Sequence, residues 1–254
     1  MTQHLYAEWT KLRTLPGTGW LLLALVMLTV VVSVAAAAVV SCTSSGCGYD
    51  PAKISLFGIQ AGQAVVAILA VLAISGEFST AMIRVTLAAM PGRISVLAAK
   101  AVILTGLTLA AGSVAVLASA LAGRRILLGN GFPPELPALT SGPMVRAVFG
   151  SVLYLALTAL FSLGIATAVR DSATAIGVVL GLLYLFPAII LMVPDADVAK
   201  LLWKVSPMNA GLAVQATTHL SSLPLSPWAG LGVLAAWAAA ALVGGGLLLR
   251  LRDA

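Results

Sequence analysis

Six long apolar stretches run through this chain, and nearly every ionisable residue sits in the short segments between them. Stretches of about 20 residues match the roughly 30 Å hydrocarbon core of a bilayer. A charge at the centre of such a helix costs about 2.5–3.5 kcal/mol, which confines charge to the connections. With 61% hydrophobic and only 9% charged residues, the chain has more apolar surface than one soluble core can hide. The expected class is therefore all-α integral membrane, with spans near Trp20–Val40, Leu56–Ser75, Val96–Ala122, Val145–Val169, Thr174–Val193 and Trp228–Leu249. The connections are too short for a soluble domain, so residues 1–254 read as a single transmembrane domain.

The first apolar stretch exceeds the 7–15 residues of a signal-peptide core, and Val39-Val40-Ser41 is a poor cleavage site, so this stretch reads as a retained span. An even number of spans puts both termini on one side. With the termini inside, Lys and Arg divide as Lys11, Arg13, Arg84, Arg93, Lys100, Arg170, Arg250 and Arg252 inside against Lys53, Arg124, Arg125, Arg146, Lys200 and Lys204 outside. That bias favours cytoplasmic termini in a multi-pass plasma-membrane protein. Cys42 and Cys47, the only cysteines, flank Thr-Ser-Ser-Gly in the first loop. They are either a disulfide in an oxidising exterior, which agrees with that orientation, or two thiols. The net charge of +6 is scattered singly at span ends without interleaved aromatics, so it forms no nucleic-acid footprint.

What is missing narrows the function. No G-x-x-x-x-G-K-[ST] phosphate loop occurs, and no Asp, Glu or His lies deep in a span to relay protons. His4 and His219 fall in segments expected on opposite sides of the membrane, so no histidine dyad or two-histidine metal site can be assembled. Neither G-x-S-x-G nor H-E-x-x-H is present. The expectation is a non-enzymatic chain with no metal and no cofactor of its own.

Three polar segments carry information. Before span one, Leu5, Trp9 and Leu12 form an apolar stripe while Lys11 and Arg13 occupy other faces, and Pro16-Gly17 ends the pattern. This is an interfacial helix contacting lipid or a partner, or a simple topology anchor. Between spans two and three, Ser79 or Thr80 can cap a helix with Ile83, Leu87 and Met90 on one face, stopped by Pro91-Gly92. A plain reversal needs only four or five residues. The extra helix either lies on lipid or docks into a cytosolic partner, with Arg84 and Arg93 as polar grips. Residues 194–227 mix charged, apolar and amide side chains and read as two short helices, with Asn209 among the amides. In span two, Gln60 and Gln63 stand at i and i+3, either joining helices or lining a pathway. Gly58-x-x-x-Gly62 and Gly177-x-x-x-Gly181 permit close helix crossings.

Taken together, Glu8-Trp9-Thr10-Lys11-Leu12-Arg13-Thr14, the Glu77-to-Arg93 segment ending in Ala98-Ala99-Lys100, and Ser206-Pro207-Met208-Asn209-Ala210-Gly211 resemble the ABC-2 type permeases of bacterial ATP-binding-cassette exporters. The likeness covers the whole chain in order and spacing. It implies an N-terminal elbow helix over 1–18 and a cytoplasmic coupling helix within 76–95. It also implies a re-entrant hairpin over 194–227, for which a helical lid on the outer surface is the alternative. The partners implied are a second permease copy or paralogue and a cytoplasmic ATPase that carries the ATP and Mg. Glu77 and Arg84 become the coupling candidates and Arg93 an outer contact, although Ala81 and Gly92 depart from the commoner pattern, which has Gly and a second basic residue there. The expected function is export of a hydrophobic or amphiphilic substrate. The alternative is a stand-alone immunity or regulatory protein that binds a hydrophobic compound or partner without transport.

Overall fold

A computed structural model describes residues 9–10, 16–42, 48–79, 93–132, 140–218 and 220–251. Helix is the only regular secondary structure among them. Lys11, Arg13, Cys47 and the 80–92 segment with Ile83, Arg84, Leu87 and Met90 lie outside the described residues.

The long helices are α1 (Pro16–Val39), then, after the short α2 (Pro51–Ser55), α3 (Ile59–Ser79), α4 (Arg93–Gly129) and α5 (Gly142–Val169). The fifth crossing is a composite of α6 (Ser172–Leu180), a π-turn (Gly181–Leu185) and α7 (Phe186–Ile190). Two short helices follow, α8 (Ala196–Val205) and α9 (Pro207–Leu212), with 3-10 turns at Ala213–Gln215 and Leu220–Ser222, before α10 (Pro227–Leu251). Six of these segments are long and apolar enough to cross a membrane: Gly17–Val39, Ile59–Phe78, Ile94–Gly129, Gly142–Val169, Ser172–Ile190 and Pro227–Leu251. The protein is a multi-pass membrane protein, and its spans fall where the apolar stretches place them. Alternation puts Pro16, Ser79, Arg93, the Arg170–Asp171 turn and Leu251 at one face, the terminal face. The α1–α3 and α4–α5 connections and residues 191–226 lie at the other, the distal face.

Burial separates the crossings into two classes. The most apolar windows of α3 and α5 are 61% and 67% buried, against 22–33% for the other four. α5 is the centre, with α3, α4, α6 and α10 packed around it. The outer crossings turn large apolar side chains outward, such as Leu23, Met27 and Val31 along one stripe of α1. In lipid these need no protein partner.

Local chemistry explains the breaks. Arg170 ends α5 in the left-handed region at φ 65°, and Asp171 at once caps α6 by accepting from Thr174 N–H at 2.8 Å. Two residues therefore reverse the chain. Within the fifth crossing, Pro187 lacks an N–H and its ring would strike the Leu183 carbonyl of a regular helix. The preceding turn widens instead, with Phe186 N–H reaching Gly181 O. At the distal face, Asn130 Nδ2 donates to Ala37 O and Val40 O, both at 3.1 Å, which ties the end of α4 to the end of α1.

The two glycine pairs have different surroundings. A Cβ at Gly58 would collide with the Thr29 carbonyl oxygen and one at Gly62 with the Thr29 hydroxyl, so this pair seats α3 against α1 within the chain. Around Gly177 and Gly181 nothing lies within 4 Å.

Candidate functional site

On the distal side, α3, α5 and the α8–α9 segment meet around a buried polar cluster. Gln63 is fully buried; its Oε1 accepts from the Tyr154 hydroxyl, and its Nε2 lies 3.3 Å from Met208 Sδ. Unpaired amides in such surroundings are costly, and here both ends of the amide are engaged. A second joint lies nearby, where Gln215 Nε2 donates to Ser151 Oγ at 3.2 Å. Arg146 Nη2 donates to Ala216 O. Tyr184, from the π-turn, donates its hydroxyl to the backbone carbonyl of Gln60.

The segment from Ser206 to Ala216 therefore sinks into the bundle. Pro207, Met208, Ala210, Gly211 and the Ala213–Gln215 turn are buried. A Cβ at Gly230 would collide with Ala210 O, so α10 can approach this segment so closely only through glycine. α8 behaves differently. None of its residues is buried, and Val198, Leu201 and Val205 leave an apolar stripe exposed. Asp195 caps it by accepting from Asp197 N–H at 2.9 Å and Val198 N–H at 3.1 Å, while Lys204 sits in its last turn. Its C-terminal end is anchored by Trp237 Nε1, which donates to Val205 O at 2.9 Å.

Asp50 fastens the far edge of this assembly. Its carboxylate accepts from Thr217 N–H and Thr217 Oγ1, both at 2.6 Å, from Thr218 N–H at 3.0 Å, and from Ala52 N–H at 3.1 Å as the cap of α2. Between α2–α3 and α8–α9 lies a cavity of 380 Å³ bordered by Gln60, Trp203, Met208 and Asn209. A second recess, of 440 Å³, opens between α4 and α5 and is apolar apart from Ser113.

At the terminal face, Glu77 in the last turns of α3 pairs with Lys100 near the start of α4, Nζ to Oε1, at 2.8 Å. Both residues are buried, and Lys100 Nζ also donates to Ala73 O at 3.2 Å. Next to them, Ser172 Oγ donates to Ser75 Oγ at 2.8 Å, and the Arg170 guanidinium lies 5.4 Å from the centre of the Phe78 ring. The turn between α5 and α6 is thereby tied to the end of α3. Asp171 is exposed there, and the Thr174 hydroxyl and N–H hold its carboxyl below the usual carboxylate range.

The structure brings some of the sequence-derived residues together and keeps others apart. Gln60 and Gln63 share a side of α3, yet Gln63 is fully engaged inside the bundle while Gln60 and Asn209 line the distal cavity. Glu77 faces Lys100 inside the protein rather than the surface. Trp9 is half exposed. Arg93 opens α4. Cys42 is disulfide-bonded, and Cys47 is the only other cysteine in the sequence. Sequence reasoning missed Tyr154, Asp50, Arg146 and the role of Lys100. For Lys100 the signal was present: a lone cation inside an apolar stretch needs a carboxylate, and Glu77 is the nearest across the loop.

No protein-family model and no curated protein matches this chain.

Proposed function

We propose that this chain is the membrane-spanning subunit of an ABC-2 type exporter, working as a dimer with a separate ATPase and moving a hydrophobic or amphiphilic substrate outward. The observation that carries the reading is the Glu77–Lys100 pair. It joins α3 and α4, the two crossings that bracket residues 80–92, in the last turn of α3 and about two turns into α4. A push on the 80–92 segment is then delivered to both helices as one unit, and through Gln63 and Tyr154 to α5 and the distal segment. In this account the 76–95 segment carries the coupling helix, Arg84 is its polar grip, Arg93 is an outer contact, and Glu77 acts behind the contact by holding its base. Residues 1–18 form the elbow helix, and both termini are cytoplasmic. The buried α9 is the re-entrant arm, and α8 lies across the outer surface. ATP and Mg belong to the partner, which agrees with a sequence that carries neither a phosphate loop nor an intramembrane proton relay.

The test is co-purification of the tagged chain with co-expressed candidate ABC ATPases from the same genome, with and without Arg84→Glu. A stable complex that Arg84→Glu weakens is expected. A chain that purifies alone, indifferent to Arg84→Glu, overturns the coupling assignment and leaves the stand-alone immunity or regulatory protein as the better reading.

A further inference from the structure

The distal cavity combines features that the helix packing does not require. Its rim carries Lys53, an exposed cation from the last turn of α2 that pairs with no carboxylate among the described residues. The nearest acid in sequence, Asp50, is already occupied by Thr217, Thr218 and the cap of α2. Deeper in, the side-chain amides of Gln60 and Asn209 are half-buried, and neither makes a hydrogen bond among the described residues. That sets them apart from Gln63 and Gln215, whose amides are engaged in the bundle. Apart from Gln215, the remaining wall is apolar and includes Phe57, Trp203 and Leu212, and no acidic side chain lines it among the described residues.

We propose that this cavity binds an anionic amphiphile, its carboxylate or phosphate held by Lys53 and the amide groups of Gln60 and Asn209, and the first part of its chain lying on Phe57, Trp203 and Leu212. A cation and two amide donors suit an acid headgroup, and Lys53 would repel a cationic one that no lining carboxylate is there to neutralise. At 380 Å³ the cavity stands near the lower end of the roughly 300–1,000 Å³ of small-molecule sites, so it holds a headgroup and a short length of chain rather than a whole lipid. Its position on the distal face, at the level where α2 meets α3, is where a headgroup lies in a bilayer. The site belongs to this chain alone and does not depend on ATP coupling, so it stands or falls separately from the export reading.

The experiment uses the full chain in nanodiscs of dioleoylphosphatidylcholine and reads quenching of tryptophan fluorescence by dibromostearic acid and by its methyl ester. Trp203→Phe identifies the share of the signal that arises in the cavity. The acid is expected to give a saturable Trp203 component that the ester lacks. Lys53→Glu should weaken it at least about tenfold, equivalent to ~1.4 kcal/mol, and Lys53→Arg should retain it. Lys53 is exposed, so neither substitution threatens folding; Gln60→Leu with Asn209→Leu should weaken the acid without creating a response to the ester. A parallel arm places brominated phosphatidylglycerol in the disc. Quenching of Trp203 by it identifies a bilayer lipid as the occupant, whereas quenching by the free acid alone identifies a soluble amphiphile. Equal Trp203 quenching by acid and ester, indifference to Lys53→Glu, or quenching by neither anionic probe overturns the proposal.

Discussion

Removing Lys100 should destabilise this protein far more than an ordinary lysine substitution. Lys100 and Glu77 are 3% and 8% exposed, and their charged atoms are 2.8 Å apart. At an effective dielectric of about 20 the gross attraction at that distance is ~6 kcal/mol. Desolvation of both groups offsets much of this, so replacing the pair together costs little, while removing one partner costs about 3–5 kcal/mol. Lys100→Met should therefore lose roughly that much, because it also abandons the bond to Ala73 O. Glu77→Gln should lose less, since an amide oxygen still accepts from the ammonium. Glu77→Gln combined with Lys100→Met should be more stable than the single losses sum to, with a coupling energy of about 2–3 kcal/mol. Reversible unfolding in mixed dodecyl maltoside and sodium dodecyl sulfate micelles, followed by tryptophan fluorescence, measures all four corners of the cycle. A coupling below about 0.5 kcal/mol would refute the argument, because contacting buried charges cannot be that independent.

Other perturbations address other joints. Gly58→Ala forces a Cβ into the Thr29 carbonyl, a backbone atom that cannot rotate away, and should cost about 1–3 kcal/mol or more in the same unfolding assay; Gly177→Ala, in open space, should be neutral or stabilising. Tyr154→Phe deprives the buried Gln63 oxygen of its donor and should cost about 1–3 kcal/mol, whereas Tyr154→Phe with Gln63→Leu should recover part of that loss. Asp50→Ala should expose the Thr217–Thr218 segment to limited proteolysis at the distal face. Asp171 has a lowered folded pKa, so its stabilising cap is present above the ordinary carboxylate range and is lost as the pH falls through that lowered value. The melting temperature should accordingly fall more on acidification in the unsubstituted protein than in Asp171→Asn.

The crossings were legible because bilayer thickness imposes a length on apolar runs, and that constraint acts through each stretch by itself. It measures lipid contact rather than helix, which explains the main boundary difference. α4 continues through Arg124 and Arg125 to Gly129, and its 37 residues span ~55 Å, well beyond a ~30 Å hydrocarbon core. The charges mark where lipid ends and leave the helix intact. The break in the fifth crossing is foreshadowed by Phe186-Pro187, a proline inside the apolar run 174–193, which hydropathy alone cannot tell from a continuous helix. The candidate sites were less legible because they join distant segments. Gln63 and Tyr154 are 91 residues apart, and Asp50 and Thr217 are 167 apart. Gln60 and Gln63 share a face by periodicity, but only the arrival of Met208 and Tyr154 makes one structural and leaves the other at a cavity.

The central claim is that the 76–95 segment links this chain to an ATPase. Its most direct test is the rate of ATP hydrolysis by a candidate ABC ATPase from the same genome, in lipid, alone and with this chain or its Arg84→Glu variant. The account predicts a rate that changes when the chain is present and returns toward that of the isolated ATPase with Arg84→Glu. A rate unaltered by either form would contradict it.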